Sequence, residues 1–219
     1  MTLTSSFVEK SQLNTLLKEC AAGSNRFAPA LDPTFGSICF SGLQSLPLAS
    51  FDVQCGSEEK RVALICEFDN LLIYALHLDD RNEETRIAQL DKVLLSEKGR
   101  ERPIVLLGDF NALNKDDYTD EYVDKLRAVR AERKIAPPEF AFCERLTAEG
   151  FVDLFRLLNP ALKDASLQTS THGVRVDHIW VNQPFLDLLN LESSRVTVEH
   201  NIHYSDHYPV CIDLHFEKE

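Results

Sequence analysis

The sequence predicts an α+β fold in which β-sheets pack on one another and helices cover their outer faces. Three observations lead there. Apolar runs of strand length outnumber the helical stretches. Each helical stretch is apolar along one stripe only, so it must lie against something. The chain has 219 residues and no repeat, low-complexity tract or Gly/Ser linker, which suits one domain over residues 1–219 better than two small ones.

The elements follow in order. Residues 11–20 carry Leu13, Leu16 and Leu17 at helical spacing. Residues 36–40 and 46–53 read as short strands. Residues 61–68 and 71–78 are apolar runs split by Asp69-Asn70, a dipeptide suited to a tight turn, so they predict a β-hairpin. Asp79 or Asp80 then caps a helix with Ile87, Leu90 and Leu94 as its buried stripe, and Gly99 closes it. Residues 103–107 form a continuous apolar run, as in a buried strand, ending in Gly108-Asp109-Phe110-Asn111. A charged helix follows, with Tyr118, Tyr122, Leu126 and Val129 on one face. Its acidic start (Asp116, Asp117, Asp120, Glu121) and basic end (Arg127, Arg130, Arg133, Lys134) match the helix dipole, and Pro137-Pro138 stops it. Residues 151–158 read as helix, closed near Pro160. Residues 174–181, 195–198 and 210–216 read as strands.

The formal net charge is −12. A protein that grips long duplex DNA by its backbone usually shows a basic face, so the balance favours small phosphate esters or short ends. No apolar run is long enough to cross a bilayer. The start, MTLTSSFVEK, lacks the basic and apolar regions of a secretory signal. The expectation is an intracellular protein, cytoplasmic or nuclear. Cys20, Cys39, Cys55, Cys66, Cys143 and Cys211 form no C-x-x-C pair, and several lie in apolar runs. They read as buried, reduced thiols.

Chemistry-bearing residues gather where apolar runs end: His77, Asp109 with Asn111, Asp177, and Asp206 with His207. Strand ends place side chains on a rigid rim. Asp109 and Asn111, two apart, share a side of an extended chain. The carboxylate can orient or deprotonate a water, and the amide can donate to a phosphoryl oxygen; the same Gly-Asp-x-Asn string is also good turn chemistry. His207 can act as a base at neutral pH if a carboxylate fixes its tautomer, or be a plain loop histidine. His77 can bind phosphate or serve structure alone. Asp177, inside an apolar run, needs a partner to be buried. His200, His203 and His207 have the spacing of a helical zinc site, but Asn201, Ser205 and Pro209 around them read as a loop entering a strand.

Four segments, in order, resemble the signatures of the endonuclease/exonuclease/phosphatase superfamily. They are Leu76-His77-Leu78-Asp79 with Arg86 and Gln89 behind it, Leu107-Gly108-Asp109-Phe110-Asn111, Arg175-Val176-Asp177-His178-Ile179 and Ser205-Asp206-His207-Tyr208-Pro209-Val210. The resemblance implies a four-layer α/β/β/α sandwich and a metal-dependent phosphoesterase, cleaving a phosphodiester or a phosphomonoester by in-line attack of activated water. It implies that Asp109 orients or activates the water, and that Asn111 and His77 stabilise the transferring group. His207 is base or transition-state stabiliser, held by a carboxylate, with Asp177 the favoured partner. Asp206 binds the metal, Mg2+ or Mn2+. Glu9 stands where a metal-binding glutamate is expected, and Arg175 is the candidate phosphate contact. The substrate is a phosphate ester, as a small molecule or a nucleic-acid end. The family's first strand, with its asparagine, has no counterpart here. That opens a second reading, a weak or inactive member that binds a partner or a phosphorylated ligand. An uncovered sheet edge also makes a homodimer conceivable. The helix after Asp109 is expected to border the pocket.

Overall fold

The computed structural model describes residues 2–4, 24–29, 36–41, 48–52, 61–68, 70–96 and 101–217. Its strands are β1 (Thr2–Thr4), β2 (Ser24–Pro29), β3 (Gly36–Ser41), β4 (Leu48–Asp52), β5 (Val62–Phe68), β6 (Leu71–His77), β7 (Ile104–Asp109), β8 (Phe151–Asp153), β9 (Asp177–Asn182), β10 (Arg195–Val198) and β11 (Val210–Asp213). Its helices are α1 (Glu83–Leu95), α2 (Asp120–Glu132), α3 (Ala141–Ala148), α4 (Leu154–Leu158) and α5 (Gln183–Leu186).

A six-stranded sheet of order β4-β5-β6-β7-β9-β8 is the centre of the fold. The β6–β7 pair is parallel and the other pairs are antiparallel. Alternation along the strands divides the apolar side chains between two faces. On one face Leu72, Tyr74, Leu76, Ile104, Leu106 and Trp180 pack under Leu90 and Val93 of α1 and Phe142 and Leu146 of α3. On the other, Ile73, Ala75, Val105, Ile179 and Val181 meet Leu154 and Phe155 of α4, Phe185 of α5 and Val196 of β10. The second β layer comprises the antiparallel pair β10–β11 and a three-stranded sheet of order β1-β3-β2, with β2 and β3 against β5. This is the expected α+β sandwich. The helix expected at residues 11–20 lies outside the described residues.

Local chemistry sets the element ends. A helix of 13 residues such as α1 is marginal alone, so burial of Leu90, Val93 and Leu94 must hold it. Its cap is Asn82, whose side chain accepts from Thr85 N at 3.1 Å, rather than Asp79 or Asp80. Asp79 instead forms the preceding turn, its Oδ1 accepting from Arg81 N and Asn82 N at 2.9 and 2.8 Å. The helix stops at Leu95, before Gly99. Helix α2 begins behind Thr119, which accepts from Tyr122 N, so Tyr118 lies just ahead of it. Residues 151–158 are not one helix: the chain leaves β8 at Asp153, which caps α4 by accepting from Arg156 N at 3.2 Å. Strand β9 starts at Asp177 and β11 ends at Asp213, both shorter than expected. Strands β1 and β2 and helix α3 were not expected.

Among the described residues, Cys66 and Cys143 are buried free thiols, as expected, whereas Cys211 is exposed. No helix among them is long and apolar enough to cross a membrane.

Candidate active site

Strand pairing brings three of the expected residues to one level. His77 lies opposite Asp109 across the parallel β6–β7 pair, and Asp109 lies opposite Asp177 across the antiparallel β7–β9 pair. Strands β6 and β7 end there and β9 begins there, so the three side chains line one end of the central sheet. Gly108 permits this packing. Its φ is +124°, a conformation closed to most side chains, and a Cβ there would stand 2.1 Å from the Leu76 carbonyl oxygen.

His207 comes to the same point from the loop before β11. Its Nδ1 lies 2.8 Å from Asp177 Oδ2. An ionised carboxylate can only accept, so Nδ1 donates and the tautomer leaves Nε2 facing the site. Nε2 is 3.8 Å from Asp109 Oδ2, and His77 Nε2 is 3.5 Å from that same oxygen. Asp109 Oδ2 therefore stands between two imidazoles, while its Oδ1 accepts from Asn111 N at 2.9 Å. Asn111 has φ +50°, a left-handed conformation that asparagine tolerates, and its Nδ2 donates to Leu78 O at 3.1 Å.

The environment separates the proton affinities of these groups. The hydrogen bond to Asp177 pushes His207 up to about 9 against the opposing effect of burial, with the Asp177 and Asp109 charges adding to it. Burial pulls His77 down to about 4, helped by the Arg61 charge. Burial, then the neighbouring Asp177 carboxylate, pushes Asp109 up to about 7, with His207 acting in the other direction. At neutral pH, without metal, His77 is neutral and His207 is an imidazolium.

Arg175 does not reach this rim, and its expected role as phosphate contact is corrected. It is 0 % exposed. Its Nε and Nη2 donate to Asp117 at 2.9 and 3.0 Å, and its Nη1 and Nη2 donate to Asp153. Burial alone would push the Asp153 carboxyl up, but Arg175 and His178 hold it well below the usual carboxylate range. The triad is an interior ion cluster. Among the described residues, the cation whose charge bears on both His77 and Asp109 is Arg61, just before β5. Its Nη2 donates to Asp80 Oδ1 at 3.4 Å, and its side chain is 11 % exposed. The chain order hid it: the β5–β6 hairpin folds residue 61 back beside His77.

Arg86 and Gln89, which the sequence places behind Asp79, support the rim. Gln89 Oε1 accepts from Asp79 N at 2.9 Å, and Arg86 Nη1 donates to Asp79 O at 3.0 Å, so α1 holds the loop after His77. Tyr122 OH donates to Gly173 O at 2.9 Å and Tyr118 OH accepts from Arg175 N at 3.0 Å. Through these tyrosines, α2 and the residue ahead of it brace the loop that leads into Asp177.

Asp206 is exposed beside His207, with its Oδ1 accepting from Ser205 Oγ at 3.3 Å. Glu9 lies outside the described residues. Among the described residues, no three His, Cys, Asp or Glu side chains form a group able to hold a metal alone. The rim does supply carboxylate and amide oxygens, from Asp109, Asn111 and Asp206. These suit a hard ion that keeps waters and takes further ligands from a substrate phosphate. The three-histidine zinc alternative lacks its helix: His200, His203 and His207 lie in the loop between β10 and β11, and among the described residues no three such side chains gather to hold a metal.

Two imidazoles and two carboxylates thus gather at one end of the central sheet of an α+β sandwich. The chain belongs to the endonuclease/exonuclease/phosphatase family, whose model matches residues 19–207. Its fold is similar to that of a 3'-5' exonuclease from Neisseria meningitidis, with 17 % identity, TM-score 0.69, and 95 % of this chain and 86 % of that one covered. An AP endonuclease from Archaeoglobus fulgidus gives 15 % identity, TM-score 0.66, and coverage of 96 % and 86 %. A mannosyl-6-phosphatase from Bacteroides thetaiotaomicron gives 16 % identity, TM-score 0.57, and coverage of 97 % and 83 %. No curated protein matches the sequence.

Proposed function

We propose that the protein is a divalent-metal-dependent phosphoesterase, cleaving a phosphodiester or phosphomonoester by in-line attack of water. The observation that carries this reading is the alignment of His77, Asp109 and Asp177 on three neighbouring strands, with His207 fixed by Asp177 at 2.8 Å. Asp109 Oδ2, standing between the two imidazoles, is placed to orient or deprotonate the attacking water. A water touching Asp109 Oδ2 can also reach His207 Nε2, 3.8 Å from that oxygen. As an imidazolium, His207 donates to a phosphoryl oxygen as charge grows there, which favours transition-state stabilisation over a base role. Neutral His77 and the Asn111 amide add donors, and Arg61 supplies the cation facing the phosphate. Asp206 would hold the metal, with Glu9 as a further ligand; when bound, Mg2+ or Mn2+ neutralises charge on the phosphoryl oxygens.

The structural relatives include enzymes named as an exonuclease, an AP endonuclease and a mannosyl-6-phosphatase, so nucleic-acid and small phosphate esters both stay in the proposal. Hydrolysis of bis-(p-nitrophenyl) phosphate and p-nitrophenyl phosphate, with Mg2+, Mn2+ or EDTA, tests it. Metal-dependent turnover lost in Asp109→Ala and His207→Ala is the expected result. Turnover that persists in both variants overturns the assignment of these residues. A folded protein inactive on these esters and on 3'-phosphorylated DNA ends and sugar phosphates overturns the enzyme reading in favour of a phospho-ligand-binding module.

A further inference from the structure

Thr169 is 0 % exposed, and its hydroxyl, amide and carbonyl are all bonded to chain around the site. Its Oγ1 accepts from Val176 N and Asp177 N, each at 3.0 Å. Its N–H donates to Val174 O at 3.0 Å, and its carbonyl accepts from Tyr208 N at 2.8 Å. Ser170 continues this pairing as a β-bridge opposite His207, and Thr171 N donates to Asp206 O at 2.8 Å. The side chain of Thr169 thus fixes the backbone of Asp177, while its main chain fixes the backbone beside His207.

We propose that Thr169 is a positioning residue for the reaction, its hydroxyl setting the separation between the Asp177 carboxylate and the His207 imidazole. The inference rests on the phosphoesterase reading of the same site. The hydroxyl is needed because strand pairing does not serve these amides. Strand β9 begins only at Asp177, and the Val176 carbonyl is already taken by Phe110 N at 2.9 Å. Valine fills the volume of threonine, so its substitution opens no space there for a water. Valine keeps the shape of threonine but offers no acceptor, so the start of β9 must shift to find one. The 2.8 Å contact between Asp177 and His207 cannot follow such a shift unchanged.

The test compares Thr169→Val with Thr169→Ser, which keeps the hydroxyl. Two readouts apply: steady-state hydrolysis with Mg2+, and the far-downfield proton resonance of His207 Nδ1–H in EDTA, assigned by its loss in His207→Gln. Thr169→Val is expected to lose the resonance and about a hundredfold in kcat with KM little changed, as for a misplacement near 1 Å. Thr169→Ser is expected to keep both. A folded Thr169→Val that keeps resonance and kcat overturns the proposal. So does a folded Thr169→Ser that loses them, and this arm decides the matter if the valine variant does not fold. If the wild type hydrolyses no ester, the phosphoesterase reading fails by itself, and the resonance still decides whether Thr169 sets the His207–Asp177 contact.

Discussion

At the scale of the residue, one guanidinium shows how far a side chain's role depends on where it points. Arg175 lies two positions from Asp177, yet it turns inward to Asp117 and Asp153, which are 0 % and 6 % exposed. Removing it leaves two carboxylates buried without their cation. Arg175→Ala should destabilise the fold by about 3–5 kcal/mol, read as a lower urea midpoint at unchanged slope. An unchanged midpoint would show that the cluster relaxes freely. Arg61→Ala should lower kcat/KM for phosphate esters by roughly ten- to hundredfold, the scale of one charge-assisted hydrogen bond; equal kcat/KM in the folded variant would remove Arg61 from the phosphate site. These two arginines also mark where the sequence stops being legible. Asp109, Asp177 and His207 could be read because each closes or opens an apolar run. The destination of a long side chain cannot be read that way: the partners of Arg175 lie 58 and 22 residues away along the chain. Thr169 gave no signal because its partners are main-chain amides, which every residue has.

At the scale of the element, the caps decide where helices begin, and here they can be checked singly. Asn82 rather than Asp79 caps α1. Asn82→Ala should therefore cost about 1 kcal/mol of stability, measured by denaturant unfolding. If Asp80→Ala costs that much and Asn82→Ala nothing, the cap assignment is wrong. The β5–β6 hairpin was legible from its turn dipeptide, and β7 from its continuous apolar run. Helix α3 was not: it has eight residues and no side-chain cap hydrogen bond, so neither length nor a start signal announced it. Residues 151–158 carry apolar side chains that serve strand and helix alike. The switch at Asp153 comes from pairing with β9, a contact made outside the segment.

At the scale of the whole molecule, the site couples stability to pH. His207 is pushed up to about 9 by Asp177, so its contribution is fully present below the unfolded value near 6.5 and is lost as pH rises through 9. In EDTA, the thermal midpoint of the wild type should fall between pH 7 and 9.5, and Asp177→Asn should flatten that decline. Equal slopes in the two proteins would show that this pair does not drive it. On the acid side two groups oppose each other. His77 is depressed to about 4, so stability is lost as pH falls from 6.5 through 4. Asp109 is raised to about 7 and relieves its cost of ionisation as pH falls over the same range. His77→Gln and Asp109→Asn should therefore tilt the acid limb in opposite directions.

Trp180, packed between the central sheet and the helices above it, is the chain's one tryptophan and is 2 % exposed. Its emission therefore comes from a single apolar environment next to α3. Unfolding must shift that emission to longer wavelength, so the denaturation experiments above can be followed by the protein's own fluorescence, with no label near the reacting groups.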